Sequence, residues 1–81
     1  MQTIEVFKTN VSDSLNANMV IYQIHKCFAH YTANFDLEDC DKILRVKHAN
    51  GIVESSAVIN ILKDFGFHAE VLPDEIKLMA S

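Results

Sequence analysis

Eighty-one residues leave room for one hydrophobic core and no second domain. Hydrophobic residues make up 49% of the chain and charged residues 22%, with two Gly and one Pro, a mixture too apolar and too weakly charged for a disordered segment. The formal net charge of −4, without any Lys/Arg cluster, argues against nucleic acid, where phosphate neutralisation supplies most of the affinity, and against anionic membranes.

The chain then divides into six elements. Residues 3–8 alternate Ile4 and Val6 against Glu5, as a half-buried strand does, with Ile4 and Val6 expected inward. A polar stretch rich in N-cap residues, Thr9 to Ser14, precedes a helix expected over about 13–30. On it Ala17, Val20, Ile21, Ile24 and Phe28 share one face, with Cys27 and Tyr31 at its edge. A second strand, 32–38, points Ala33, Phe35 and Leu37 one way and Asn34, Asp36 and Glu38 the other. A tight acidic turn around Asp39, Cys40 and Asp41 leads to a third strand, 42–47, with Leu44 and Val46 inward. Asp36 and Glu38 are expected to face Arg45 and Lys47 as cross-strand charge pairs.

After Asn50-Gly51, a second helix is expected over about 54–65, burying Val58, Ile61, Leu62 and Phe65. Gly66 suits the left-handed position that ends a helix, since it has no Cβ to clash there. The fourth strand is 67–72, with Phe67, Ala69 and Val71 inward, and Pro73 closes it. The order βαββαβ implies an α+β, ferredoxin-like sandwich: a four-stranded antiparallel sheet of order 4-1-3-2 with both helices on one face. Residues 1–73 form this single domain, and residues 74–81 read as a frayed tail. On the open sheet face Phe7, Ile43 and Leu72 are expected to be exposed among Glu5, Arg45, His68 and Glu70.

With this element order and the run Ile61-Leu62-Lys63-Asp64-Phe65-Gly66-Phe67, where a Gly and an aromatic open the last strand, the chain resembles the heavy-metal-associated domain family over roughly residues 3–72. That family comprises small copper and zinc chaperones and the N-terminal modules of metal-pumping ATPases. Its motif, Met-x-Cys-x-x-Cys after the first strand, holds a soft metal ion in two thiolates at the start of the first helix. Here the loop reads Phe7-Lys8-Thr9-Asn10-Val11-Ser12-Asp13, so Asn10 and Asp13 stand where the cysteines would be. The resemblance implies the scaffold without the metal pair, and fold alone does not fix function.

Other constellations are weaker. His25-Lys26-Cys27-Phe28-Ala29-His30 is the one His/Cys cluster, and Cys27 and His30 at i,i+3 would project to one side of a helix. Two ligands fall short of the four of a structural zinc site, so the bland alternative is a core-edge Cys with two solvated histidines. The acidic stretch around Asp39, Cys40 and Asp41 lacks the converging oxygens and the Gly of a calcium loop. No phosphate loop, nucleophile elbow or zinc-protease motif is present, and no enzyme is expected. Cys27 and Cys40 read as reduced thiols of a cytoplasmic protein, without a leader or a membrane-spanning run.

The most informative anomaly is a second apolar stripe on the first helix. Leu15, Met19 and Tyr22 recur at i, i+4 and i+7 on the side opposite the core face. They mark a contact patch for a protein partner or a second copy, and the expected role is a non-enzymatic interaction module needing no cofactor. The alternative is a weak zinc or copper binder using Cys27 and His30.

Overall fold

The computed structural model describes residues 2–72. They form β1 (Thr3–Thr9), α1 (Ser14–Cys27), β2 (Tyr31–Asp36), β3 (Ile43–His48), α2 (Ser55–Asp64) and β4 (Ala69–Val71). The strands make one antiparallel sheet of order β2-β3-β1-β4, which read from the other end is the expected 4-1-3-2. The α+β, ferredoxin-like architecture is therefore the observed one. The expected tail, residues 74–81, lies outside the described residues.

The core lies between the two helices and the sheet. Phe7, Leu44 and Val46 come from the strands, Val20 and Ile24 from α1, and Val58 and Leu62 from α2, all fully buried. Each such side chain contributes about 1.5–3 kcal/mol relative to exposure. Val11 in the β1–α1 loop and Val53 before α2 close its ends.

β1 is turned the opposite way from the alternation of Ile4 and Val6. Phe7 and Thr9 face the helices and are buried, while Ile4 is 41% exposed and Val6 half-buried on the other face. Both faces of this strand carry apolar residues, so alternation alone does not choose between them. Thr9 helps decide the matter. Its buried hydroxyl donates to the Lys42 carbonyl (2.6 Å) and accepts the Val11 N–H (3.2 Å), so no polar atom is stranded.

The open face therefore carries Ile4 and Val6 in place of Phe7; Phe7 and Ile43 are buried rather than exposed, and Leu72 is half-buried. In β4, Ala69 is inward as expected, but Val71 is 39% exposed, because β4 forms one edge of the sheet.

α1 begins at a side-chain cap. Asp13 sits in extended backbone, and its carboxylate accepts the Asn16 N–H (3.2 Å) and the Asn16 side-chain N–H (2.6 Å). The helix stops at Cys27, three residues before the expected end. Phe28 is already extended while its N–H still bonds the Ile24 carbonyl, so the chain turns without a Gly or Pro to announce it. Tyr31 accordingly belongs to β2 and reaches the core from the sheet.

α2 ends in a Schellman motif. Gly66 (φ 88°) donates to the Lys63 carbonyl and Phe67 to the Leu62 carbonyl, both at 2.9 Å. At its start the Glu54 side chain caps nothing; instead the Glu54 N–H donates to the Tyr31 hydroxyl (2.7 Å), pinning the helix to β2.

Candidate functional site

α1 packs against β2 and α2, and this placement leaves its far side to solvent. Ala17, Val20 and Ile24 are buried on the near side. On the far side Leu15 is 69% exposed, Met19 45% and Tyr22 67%. The i, i+4, i+7 spacing stacks the three along successive turns. Phe65, at the end of α2, faces them across a shallow groove of about 360 Å³ whose other walls are Asn18 and Gln23. None of these six residues is charged. The stripe was legible in the sequence; Phe65 was not, because its partners lie more than forty positions away and only the packing of the helices brings it alongside.

A second groove, of about 300 Å³, opens where α1 gives way to β2. Cys27, His30, Tyr31, His48, Ile52 and Glu54 contribute to its lining. Because α1 ends at Cys27, the helical spacing expected for Cys27 and His30 does not hold, although both border this groove. Cys27 is exposed rather than at the core edge, and its Sγ accepts from the Gln23 side chain (3.3 Å). His30 instead lies beside His48, ring centroids 6.0 Å apart and planes 18° from parallel. The His48 Nδ1 accepts the Asn50 N–H (3.2 Å), and its ring lies so close to Gly51 that a Cβ there would come within 2.8 Å of Nε2. Nothing in the sequence links His48 to His30; the antiparallel register, with His48 opposite Tyr31, does so.

His25, expected to be solvated, has a structural role. Its Nε2 accepts the Ala33 N–H at 3.1 Å, tying α1 to the outer edge of β2. An edge strand offers unpaired amides to any passing strand, and a covering side chain blunts that hazard.

The loop in the position of the heavy-metal motif is built for oxygen-mediated hydrogen bonding. The Asn10 side-chain Oδ1 accepts the His68 N–H (2.8 Å), and Asp13 caps α1. The hydrogen bonds from Asn16 hold the Asp13 carboxyl below its ordinary range, favouring the anion at the helix start. Hard oxygen ligands already engaged by amides do not fit a soft metal. The cysteines themselves stand elsewhere, Cys27 at the end of α1 and Cys40 between β2 and β3.

Asp39, Cys40 and Asp41 bring three ligand-type atoms within 4.8 Å of one another. Each acid has a local role: Asp39 accepts the Asp41 N–H (2.9 Å), and Asp41 pairs with Lys8 (3.7 Å). The turn spans residues 37–42, broader than expected. Lys42 enters the left-handed region (φ 49°) and its ammonium donates to the Leu37 carbonyl (3.1 Å). The expected charge pairs across the hairpin do not form: the register sets Asn34 opposite Arg45 and Thr32 opposite Lys47, while Glu38 lies beyond β2.

Among the described residues no helix is long and apolar enough to cross a membrane. Comparison of the chain with protein-family models, curated proteins and solved structures gave no match.

Proposed function

We propose that the protein is a non-enzymatic interaction module on a scaffold like that of the heavy-metal-associated domains, with the outward face of α1 as its contact surface. The exposure of Leu15, Met19 and Tyr22 opposite a fully used core stripe carries the reading. The absence of charge along the groove favours a second copy as occupant, since a self-complementary apolar surface meets itself without unpaired ions. Three side chains and one phenyl ring fall short of the roughly 1,200 Å² of a stable interface, so self-association is weak and concentration-dependent.

The test is the mass in solution across a concentration series for the wild type and for Met19→Asp/Tyr22→Ser. The wild type is expected to shift toward dimer as concentration rises, and the double variant to remain a monomer with unchanged melting temperature. Identical mass and identical pull-down partners for both proteins would defeat the proposal.

The second reading, a weak zinc or copper binder using Cys27 and His30, is supported by their shared groove with His48. Zinc titration into the reduced protein decides it. Binding weaker than about micromolar, or unaltered in Cys27→Ser, removes it, because thiolate sites bind far more tightly.

A further inference from the structure

We infer that the open face of the sheet, the one the helices leave bare, is a docking surface for an extended acidic peptide. Its cations are scattered in sequence, at positions 8, 45 and 47, and only the strand register gathers them. Because Phe7, Leu44 and Val46 turn inward, alternation sends Lys8, Arg45 and Lys47 outward together, and all three are exposed. Lys8 lies opposite Ile43 and Arg45 opposite Val6, so the two cations are diagonal neighbours about 7–8 Å apart. Lys47 stands two residues on from Arg45, a further ~7 Å along β3.

The fold supplies these charges with few partners. Lys8 pairs with Asp41 at 3.7 Å, both groups partly exposed. Arg45 and Lys47 form no ion pair among the described residues. Their cross-strand neighbours are Val6 and Asn34 for Arg45, and Ile4 and Thr32 for Lys47. Asp36 stands diagonal to Arg45 without pairing to it, and Glu70, opposite Lys8, holds its carboxylate at His68 (3.3 Å). In a chain of net charge −4, this face is thus a cationic stripe bordered by the exposed Ile4 and the half-buried Val6.

That pattern selects the occupant. Side chains on one side of an extended strand repeat every ~7 Å, the spacing at which the three cations stand. Carboxylates at alternate positions therefore meet them in turn, with their methylene stems over Ile4 and Val6. A second copy applied through the same face would set like charges against one another. Nucleic acid finds no stacking platform, because the aromatics of the sheet, Phe7, Tyr31 and Phe35, pack into the core. The inference does not depend on the α1 contact surface, which lies on the helical side of the sheet.

The experiment measures, by fluorescence anisotropy at low ionic strength, the binding of a labelled short peptide alternating Glu and Thr to the full chain. The wild type is expected to bind it, and to bind it more weakly as salt is added. The amide shifts of Val6, Arg45 and Lys47 should move in NMR spectra while those of Met19 and Tyr22 stay still. Arg45→Glu/Lys47→Glu should weaken binding roughly tenfold, two surface pairs being lost and two repulsions gained, with the melting temperature unchanged. Lys26→Glu, an exposed change on α1, should bind as wild type. The shift map on the wild type decides the matter even if the double variant fails to fold. Binding undiminished by the charge reversal, shifts confined to other faces, or no binding at low ionic strength overturns the inference. Equal or tighter binding of a single-stranded oligothymidylate would make the face one for nucleic acid. A concentration-dependent mass that disappears in Arg45→Glu/Lys47→Glu would make it one for a second copy, and either result also overturns the peptide.

Discussion

α1 and α2 lie side by side against one face of the same sheet, yet they deploy their apolar residues differently. α2 turns Val58, Ile61 and Leu62 into the core and gives solvent Asn60, Lys63 and Asp64. α1 fills an equivalent core stripe with Ala17, Val20 and Ile24, then carries Leu15, Met19 and Tyr22 on the solvent side. A helix that needs only to fold has no use for the second set. The contrast separates residues that hold the fold from residues left over for contact.

The contrast is broken most forcefully from the α2 side. Leu62→Ala empties a fully buried position and should lower unfolding free energy by about 2–5 kcal/mol, read by urea denaturation. A loss below about 1 kcal/mol would mean that the site collapses and that the core is less decided by α2 than by the sheet. Next comes Gly66→Ala. The space around Gly66 is open, so a Cβ meets nothing; the left-handed backbone alone should cost about 1–2 kcal/mol in the same assay.

At the start of α1, Asp13→Ala removes the side-chain cap and should lower the melting temperature by less than the Gly66 change. The Asp13 carboxyl is held below its ordinary range by Asn16, so the cap's contribution is present above the unfolded carboxyl range and fades as pH falls through the lowered native value. The melting temperatures of wild type and variant should therefore differ at neutral pH and converge in strong acid. Smallest of all, Leu15→Ser should leave stability within about 0.5 kcal/mol while weakening any concentration-dependent association. A large loss of stability there would move Leu15 from the contact surface to the fold.

The element order, the second helix with its glycine stop, and the inward side of β3 were all legible in the sequence. In each the local signal and the tertiary demand agree: Leu44 and Val46 alternate with charged residues, and Gly66 is the only residue near that helix end at ease with φ 88°. β1 was misread because Ile4, Val6 and Phe7 give both faces an apolar claim, and the burial of Phe7 and Thr9 depends on strands far along the chain. The end of α1 was misread because Tyr31 falls seven residues after Ile24, a helical repeat, while also alternating with Ala33 as a strand residue. The outward stripe was plain from spacing. Phe65, His48 and the His25–Ala33 bond were not, because register and helix packing, rather than local pattern, bring them to their places.

The tie between Asn10 and the His68 N–H joins the loop after the first strand to a residue fifty-eight positions later. β1 likewise lies in the middle of the sheet, with β3 on one side and β4 on the other. On a ribosome, then, the first strand to emerge is the last to gain both its neighbours. Until β4 is made, one edge of β1 stays open and the loop that starts α1 is untethered. Contacts this distant in sequence close late and fold slowly, so a nascent chain halted before His68 exposes a strand that the finished protein keeps at its centre.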